Sequence, residues 1–284
     1  MFIRVLGGTM KFKVNFFMIL MLFNTIQAKD LIWDFGGIVF HPDKLGVGRA
    51  VGLQYFLLYM VMDLKNPNVQ NDLFKFLETV MPADKKFGAV GAGDGQILPT
   101  IMRHWQAGTL LAPAIIKKTE DHIKKMDKIG YFESHYEKEL IRRITRAMFD
   151  PKILAQNIYP IQAGVDLLKK CVAAKNADGT KKNNNYGGSN MDPLSFKISK
   201  KLYPEIFKLF DGIVISGDIG KVKPDKNFYQ HLIKEFNLNP KNSVLIDDQE
   251  VNAIGARKCE IGTLILRDWD YKRLEQELKL CGAL

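Results

Sequence analysis

The feature that most constrains the fold is an alternation of short apolar runs with helical stretches in the second half of the chain. The apolar runs are 212–216, 243–246 and 263–266. The helical stretches are 161–174, 192–210, 225–236, 249–258 and 270–280. Strands that alternate with helices favour a parallel sheet covered by helices on both faces. The sequence therefore predicts a doubly wound α/β fold, with the polar stretch 175–188 as a loop.

The first strand of this fold lies far from the others in sequence. Leu31-Ile32-Trp33 is an apolar run that ends at Asp34, and 35–40 reads as a second strand that passes through a glycine turn. The pattern then becomes helical as far as Asn157, in six segments. These segments are 48–62, 70–80, 96–107, 112–126, 134–148 and 151–156. With 284 residues, about twice the length of one domain, we predict an α/β core of residues 29–43 and 158–284 and an inserted helical cap of residues 44–157.

The N-terminal segment has the parts of a signal peptide. A basic start at Lys11 and Lys13 is followed by an apolar core from Val14 to Phe23, and Ala28 offers a small residue for cleavage. The core is shorter than the ~20 residues that a spanning helix needs. We expect residues 1–28 to be a signal peptide and the mature protein to be exported, periplasmic or secreted, without a stable membrane span. A buried N-terminal helix in a cytoplasmic protein, or an uncleaved anchor, remains the alternative.

Composition excludes several other classes. Apolar residues make up 46% and charged residues 25%, which excludes a collagen, a disulfide scaffold and a disordered chain. The net charge of +10 comes without an arginine-rich arm or an aromatic and basic stripe, so it favours anionic ligands in general and not nucleic acid. Cys171, Cys259 and Cys281 share no CxxC spacing and predict neither a zinc site nor a complete disulfide framework.

Three acidic side chains and one lysine carry the predicted chemistry. Asp34 ends the first strand, Asp247 and Asp248 end the strand at 243–246, and Lys223 lies in the loop before helix 225–236. Ligands of an open parallel sheet bind beyond the carboxyl ends of its strands. Converging carboxylates without His or Cys partners suit Mg²⁺. A carboxylate at such a strand end is also a candidate nucleophile for phosphoryl transfer, with the lysine as a compact positive charge.

Each of these residues also has an ordinary structural interpretation. Asp247 and Asp248 are typical of a helix N-terminus, and the Ser189-Asn190 pair is typical of a cap for a helix beginning near residue 192. Asp34 alone fits a turn, and Lys223 before Pro224 fits a surface turn. The glycine loop 88–95 neither follows a strand nor leads into a Lys-Ser/Thr pair, so we interpret it as a cap loop and not as a nucleotide cradle. In the stretch 102–108, Trp105 is expected to pack in the interior and His104 to lie at the substrate rim.

Taken together and in order, the motifs resemble the haloacid dehalogenase superfamily, most of whose members are phosphatases, in its branch with a helical cap after the first strand. The resemblance covers about residues 30–270. The matching pieces are residues 31–40 (LIWDFGGIVF), Ser189-Asn190, 213–225 (IVISGDIGKVKPD) and 244–252 (VLIDDQEVN). The resemblance implies a Rossmann-like parallel sheet, a Mg²⁺ cofactor and a small phosphorylated substrate.

Carried over residue by residue, the resemblance implies Asp34 as nucleophile and Lys223 as the group that neutralises charge. Asp34, the Gly36 carbonyl, Asp247 and Asp248 would hold the metal. Ser189, Asn190 and Gly37 would bind the phosphoryl group.

Two departures from the family pattern qualify this hypothesis. Most phosphatases of the family have a second aspartate two positions after the nucleophile, where this chain has Gly36, and general acid-base help is worth about 10² to 10⁴ in rate. The segment 183–188 (NNNYGG) stands where the family has an apolar strand, and a strand that polar is hard to bury in a parallel sheet. We predict a magnesium-dependent phosphomonoesterase, with a weakened relative that binds a phosphorylated ligand without turnover as the alternative. Metal-independent dehalogenation is disfavoured because the acidic pair would then have no role.

Overall fold

A computed structural model of the chain describes residues 28–62, 69–84 and 97–284. The predicted signal peptide lies outside the described residues except for Ala28, and the glycine loop 88–95 lies outside them entirely. Among the helices in the described ranges, none combines the length and the apolar character needed to cross a bilayer.

The strands form one five-stranded parallel sheet and one small antiparallel pair. The sheet has the order β5-β4-β1-β6-β7, and β2 pairs with β3. The strands are β1 Lys29–Trp33, β2 Phe40–Pro42, β3 Ile158–Pro160, β4 Asn183–Ser189, β5 Gly212–Ile215, β6 Ser243–Asp247 and β7 Gly262–Ile265.

Helices cover the sheet and fill the stretch between β2 and β3. Within the described part of that stretch, seven helices lie between the two strands: α1 Lys44–Val51, α2 Leu53–Met62, α3 Val69–Val80, α4 Thr100–Gln106, α5 Ala112–Lys128, α6 His135–Phe149 and α7 Pro151–Gln156. Seven more follow β3: α8 Gln162–Ala173, α9 Pro193–Leu202, α10 Pro204–Phe207, α11 Ser216–Ile219, α12 Lys226–Glu235, α13 Glu250–Arg257 and α14 Tyr271–Leu280.

The central strand β1 is buried on both faces. Leu31 and Trp33 point to one face, in the apolar cluster that α8 and α14 complete, and Ile32 points to the other, against α12. All three side chains are fully buried. A strand covered on both sides is expected to be continuously apolar and not to alternate with polar residues. The predicted parallel sheet with helices on both faces is confirmed.

The helices between β2 and β3 have an apolar core of their own. Phe76, Leu77, Ile101, Ile115 and Phe149 are fully buried there. Trp105 packs edge-to-face on Phe149 in this cluster, as expected from the sequence. The turn after α4 approaches the sheet domain closely, since a Cβ on Gly108 would lie 2.1 Å from the carbonyl oxygen of Gly217. Only glycine at position 108, which also has a φ of +65°, allows this approach.

Two predicted elements differ from the structure in their extent. The strand predicted at 35–40 is a turn over most of its length, in which the amides of Val39 and Phe40 both donate to the Phe35 carbonyl, and extended structure begins at Phe40. The helix predicted at 192–210 is two helices, α9 and α10, with a break at Tyr203 ahead of Pro204. The proline lacks an amide hydrogen and disfavours helical geometry in the residue before it, which accounts for the break.

The prediction of a loop over 175–188 was wrong, because residues 183–189 form β4, a strand in the interior of the sheet. Its polar side chains find hydrogen-bond partners. The side-chain nitrogen of Asn183 donates to the carbonyls of Cys171 and Ala283 at 2.9 and 2.8 Å. The side-chain oxygen of Asn185 accepts from the Trp33 indole at 3.1 Å. Polar side chains can line a buried strand when such partners compensate for their burial.

Candidate active site

Three polar side chains lie at one edge of the sheet. Asp34 follows β1, Ser189 is the last residue of β4, and Asp247 is the last residue of β6. Since β1 lies between β4 and β6 and all three strands are parallel, their carboxyl ends meet at the same edge. The fold thus brings together side chains that are 155 positions apart in the case of Asp34 and Ser189.

The carboxylate of Asp34 is held by donors on both of its oxygen atoms. Oδ1 accepts from the Phe35 amide at 2.7 Å and from the Ser189 hydroxyl at 2.6 Å. Oδ2 lies 2.9 Å from the ammonium nitrogen of Lys223. The side chain of Asp34 is only 8% exposed. The candidate nucleophile is therefore fixed in orientation before any substrate arrives.

Lys223 bridges two of the carboxylates. Its Nζ lies 2.9 Å from Asp34 Oδ2 and 2.8 Å from Asp247 Oδ2, and the side chain is 1% exposed. Burial by itself lowers the pKa of Lys223, but the charges of Asp247 and Asp34 outweigh it, so the pKa lies above that of an ordinary lysine. The ammonium is therefore charged at neutral pH.

Asn190 holds the backbone of this lysine. Its side-chain oxygen accepts from the Lys223 amide at 2.8 Å, and its side-chain nitrogen donates to the Lys223 carbonyl at 2.9 Å. The resemblance implied a contact between Asn190 and the phosphoryl group. In this arrangement Asn190 is a positioning residue, since its amide group fixes the loop that carries Lys223.

Asp248 completes a cluster of three carboxylates with Asp34 and Asp247. One oxygen atom from each lies within 4.8 Å of the others. Opposite oxygens around Mg²⁺ are about 4.2 Å apart, twice the usual Mg–O distance. The three carboxylates and one ammonium sum to a charge of −2 when all are ionised. An all-oxygen donor set of this size and charge fits a hard divalent cation such as Mg²⁺.

The electrostatics of Asp248 reflect this excess of negative charge. Partial removal from water, with the charges of Asp34 and Asp247, raises the pKa of Asp248 to about 7. Neighbouring carboxylates disfavour each other's ionisation unless a cation compensates them. Without a cation, repulsion among the three carboxylates therefore destabilises the ionised form of the cluster.

Asn252 is a site residue that the sequence analysis missed. Its side-chain nitrogen lies 3.0 and 3.2 Å from the two oxygens of Asp247, and the Gln249 amide donates to Oδ1 of the same carboxylate at 2.9 Å. Its sequence position could have identified it, because Asn252 lies on the first turn of the helix that follows the acidic pair. Its side chain fixes the orientation of Asp247.

The adjacent glycines Gly36 and Gly37 differ in what they tolerate. A Cβ on Gly37 would lie 2.2 Å from Asp248 Oδ2, and this residue has a φ of +73°. A Cβ on Gly36 would meet nothing within 4 Å. Position 37 therefore requires glycine, whereas position 36 has space for the side chain that most family phosphatases carry there.

The ordinary interpretations of these residues do not describe their environment. The cap of α9 is Asp192, whose side chain accepts from the amides of Leu194 and Ser195, so Ser189 is free of that role. The helix α13 has Gln249 at its N-cap position, without a side-chain cap bond. Lys223 is buried instead of lying on a surface turn.

A cavity of about 370 Å³ opens over the cluster. Asp34, Ser189, Lys223 and Asp248 line its floor, and other lining residues include Gly36, Gly37, His41, Pro42, Gln106, Asn190, Met191 and Gln249. His104, which we expected at the rim, does not line this cavity. It is buried in the helical insertion, where its ring nitrogens lie 2.7 Å from Asp84 and 2.8 Å from Thr109.

Comparison with known sequences identifies a matching family model and a similar curated protein. The family model described as haloacid dehalogenase-like hydrolase matches residues 202–266, which include Lys223, Asp247 and Asp248. The sesquiterpene phosphatase astK of Aspergillus oryzae is 31% identical over 83 residues. That match covers 29% of this chain and 42% of the Aspergillus protein.

Solved structures with a similar fold span most of the chain. HAD family enzyme BT-2542 of Bacteroides thetaiotaomicron has a TM-score of 0.52 at 18% identity, over 87% of this chain and 98% of that one. Its wild-type complex with magnesium and inorganic phosphate has a TM-score of 0.50 at 16% identity, over 87% and 99%. A HAD-like family hydrolase of Porphyromonas gingivalis has a TM-score of 0.50 at 13% identity, over 89% and 98%. At these identities the similarity establishes a common fold.

Proposed function

Because the chain belongs to the haloacid dehalogenase superfamily of hydrolases, we propose that it is a magnesium-dependent phosphomonoesterase that forms an aspartyl phosphate on Asp34. One observation carries the proposal: a buried, oriented carboxylate lies beside Lys223 and two further carboxylates at the carboxyl edge of the sheet. The phosphatase activity named for the Aspergillus relative and the magnesium and phosphate bound to BT-2542 support it.

Asp34 would act as the nucleophile toward phosphorus. The Phe35 amide and the Ser189 hydroxyl hold its Oδ1, which leaves Oδ2 beside Lys223 as the oxygen that faces the phosphoryl group. Attack forms a bond from the carboxylate oxygen to phosphorus and breaks the ester P–O bond, so the leaving oxygen departs as an alkoxide that takes a proton to become the alcohol. Water then attacks phosphorus, the P–O bond to Asp34 breaks, and inorganic phosphate leaves with the carboxylate restored. The one hydroxyl hydrogen of Ser189 bonds Asp34 Oδ1 at 2.6 Å in this structure and would turn to a phosphoryl oxygen once the ester is bound, which leaves the Phe35 amide to hold Oδ1.

Lys223 would stabilise the negative charge that gathers at the phosphoryl oxygens. It already compensates Asp34 and Asp247, and preorganised charge of this kind in a site shielded from water is often the largest contribution to catalysis. Asp34, Asp247 and Asp248 would hold Mg²⁺, with Gly36 as the family's further ligand. When bound, the ion would neutralise phosphoryl charge and orient the ester.

Gly36 leaves the position of the usual general acid empty. A phosphatase without that acid favours esters whose alcohol is a good leaving group, or takes its proton from another group at the cavity. His41 presents an imidazole ring in the cavity lining, where Tyr159 and Trp269 contact it edge-to-face. Its place in the lining makes it a candidate proton donor.

We further propose that residues 44–157 act as the cap of this site and residues 29–43 and 158–284 as its core. Two contacts support this division. Gln106, at the end of α4, lines the cavity over the carboxylates and its carbonyl accepts from the Ser216 hydroxyl at 2.6 Å. The pair β2 and β3 forms both chain connections to the helical insertion.

The proposed function is tested by hydrolysis of p-nitrophenyl phosphate with and without Mg²⁺. Wild type is expected to hydrolyse it only with the ion, and Asp34→Asn to lose at least 10³-fold in kcat. Asp30→Asn is the matched control, because Asp30 is a buried carboxylate at the opposite end of the same strand. Equal residual rates in wild type and Asp34→Asn would disprove the nucleophile.

A second candidate is a protein that binds a phosphorylated ligand without turning it over, which Gly36 favours. The other reason for it is weaker now, since the polar segment 183–188 does form a sheet strand. Calorimetry that detects phosphate binding together with no turnover across a phosphate panel would establish this candidate in place of the first.

A further inference from the structure

A large apolar groove lies next to the proposed catalytic cavity. It has a volume of about 730 Å³ and is formed by the inserted helices α1, α3, α4 and α6. Its walls include Val51, Leu73, Phe74, Met102, Ile144 and Met148. Cavities of about 300–1,000 Å³ are typical of small-molecule sites. The groove is therefore large enough to hold a substantial part of a substrate.

The groove and the catalytic cavity share part of their walls. Pro42, Gln106 and Gln249 line both of them. Pro42 ends β2, Gln106 ends α4, and Gln249 directly follows the acidic pair of the candidate site. A molecule with its phosphate at Asp34 can therefore extend past these three residues into the groove.

The chemistry of the groove selects against hydroxylated groups. Among the described residues that line it, none is charged, and the polar side chains are three glutamines. The helix α6 shows the contrast, because Ile144 and Met148 line the groove while Arg142, Arg143 and Arg146 line a separate cavity. A sugar placed in the groove would leave most of its hydroxyls without partners, which is unfavourable for binding.

We propose that this groove binds the hydrocarbon part of the substrate, which is the phosphate monoester of a long apolar alcohol. A chain of about 10 to 15 carbons, at roughly 30 Å³ per carbon by analogy with a water molecule, needs about 300–450 Å³ and fits the groove. This inference rests on the proposed phosphatase function, since it places the ester phosphate at Asp34.

The first test is a series of n-alkyl phosphates from butyl to decyl, used below their micelle concentrations. Each buried methylene is worth up to about fourfold in affinity. Because the alkyl group binds equally well in the ground state and the transition state, the gain in affinity is expected mainly as a lower KM. We expect kcat/KM to rise by about 10- to 100-fold along the series. A flat series, with p-nitrophenyl phosphate still hydrolysed, overturns the groove proposal and leaves the phosphatase proposal intact.

Substitutions of groove residues test whether the dependence on alkyl chain length arises in the groove. Met148→Gln and Ile144→Gln are expected to lower kcat/KM for decyl phosphate by about tenfold and to leave p-nitrophenyl phosphate unchanged. Met60→Gln is the matched control, because Met60 is 45% exposed on α2 and does not line the groove. If the groove instead holds a segment of the protein's own chain, the two groove variants lower the melting temperature and keep the wild-type chain-length dependence, which overturns the proposal.

A binding measurement separates failure of the groove proposal from failure of the phosphatase proposal. By calorimetry, wild type is expected to bind decyl phosphate at least tenfold more tightly than inorganic phosphate, and Met148→Gln to lose most of that difference. The same binding without turnover of any phosphate would overturn the phosphatase and retain the apolar site. Equal affinity for the two ligands would overturn the apolar site.

Discussion

The carboxylate cluster makes a quantitative prediction about Mg²⁺ and thermal stability. With all groups ionised, the site charge of −2 becomes zero when a divalent cation binds to Asp34, Asp247 and Asp248. Because only the folded state brings these three carboxylates together, the ion stabilises that state. At a concentration 100 times its Kd, such a ligand adds about 2.7 kcal/mol to the free energy of unfolding. One kcal/mol shifts Tm by about 2–4 °C in domains of 150–250 residues. We therefore expect Mg²⁺ to raise Tm by about 5–10 °C.

Asp248→Asn is the perturbation that tests this origin. Asparagine keeps the shape of the side chain and removes one charge from the cluster. A 100-fold loss of affinity reduces the stabilisation at the same Mg²⁺ concentration to about 0.4 kcal/mol, or a shift of about 1–2 °C. In EDTA, where no Mg²⁺ is bound, Asp248→Asn is expected to have a slightly higher Tm than wild type. Relief of like-charge repulsion at this exposed side chain is worth about 0.5–1 kcal/mol.

The assay is a melting curve followed by circular dichroism, in EDTA and at several Mg²⁺ concentrations. Asp121→Asn is the control, because it makes the same change in charge at an exposed position on α5, away from the cluster. It should keep the full wild-type shift. The reasoning is refuted if Mg²⁺ leaves the Tm of wild type unchanged, or if Asp248→Asn shows the same shift as wild type.

Three further substitutions in the site have definite expected outcomes. Gly36→Asp places a general acid in the site, and Gly36→Asn is its control. The aspartate is expected to raise kcat for alkyl phosphates by about 10² or more but to change kcat for p-nitrophenyl phosphate little, since nitrophenolate leaves without a proton. Equal effects on both esters would contradict this reasoning. Gly37→Ala is expected to lower Mg²⁺ affinity, because its Cβ would displace Asp248, whereas Gly36→Ala should not, as calorimetry would show. Lys223→Met leaves two buried carboxylates uncompensated and should cost about 3–5 kcal/mol in urea unfolding without Mg²⁺; a loss below 1 kcal/mol would argue against the ion pair.

The parts of the fold that the sequence predicted are those with a local signal. The runs 31–33 of β1 and 244–246 of β6 are continuously apolar and are covered on both faces, so their composition alone marks them as parts of core strands. The strand β4 has no such signal. Its asparagines are buried because partners distant in sequence, such as Trp33 and the Ala283 carbonyl, bond to them in the folded protein.

The same distinction applies to the site. Asp34 and the pair Asp247-Asp248 follow recognisable strands, so their convergence was predictable from topology. Lys223 lies in a loop and not at a strand end, so its role could be proposed from the sequence but its place beside the carboxylates did not follow from the sheet topology. The role of Asn190 was not predictable, because its partner is a backbone group 33 positions away. The apolar groove was equally hidden, since its walls come from residues between 42 and 249.

The polar strand that composition failed to identify also shapes the nucleophile. A Cβ on Gly187 of β4 would lie 2.6 Å from the ring of Phe35. That ring stacks on Phe196 and meets Phe207 and Phe210 edge-on, so the residue after the nucleophile is clamped in an aromatic cluster. Its amide is the one that donates to Asp34 Oδ1. A larger apolar residue at position 187 would give a more typical strand but would displace the ring, and with it the donor that orients the candidate nucleophile. The glycine at position 187 of β4 is thus explained by the site that the strand supports and not by the sheet alone.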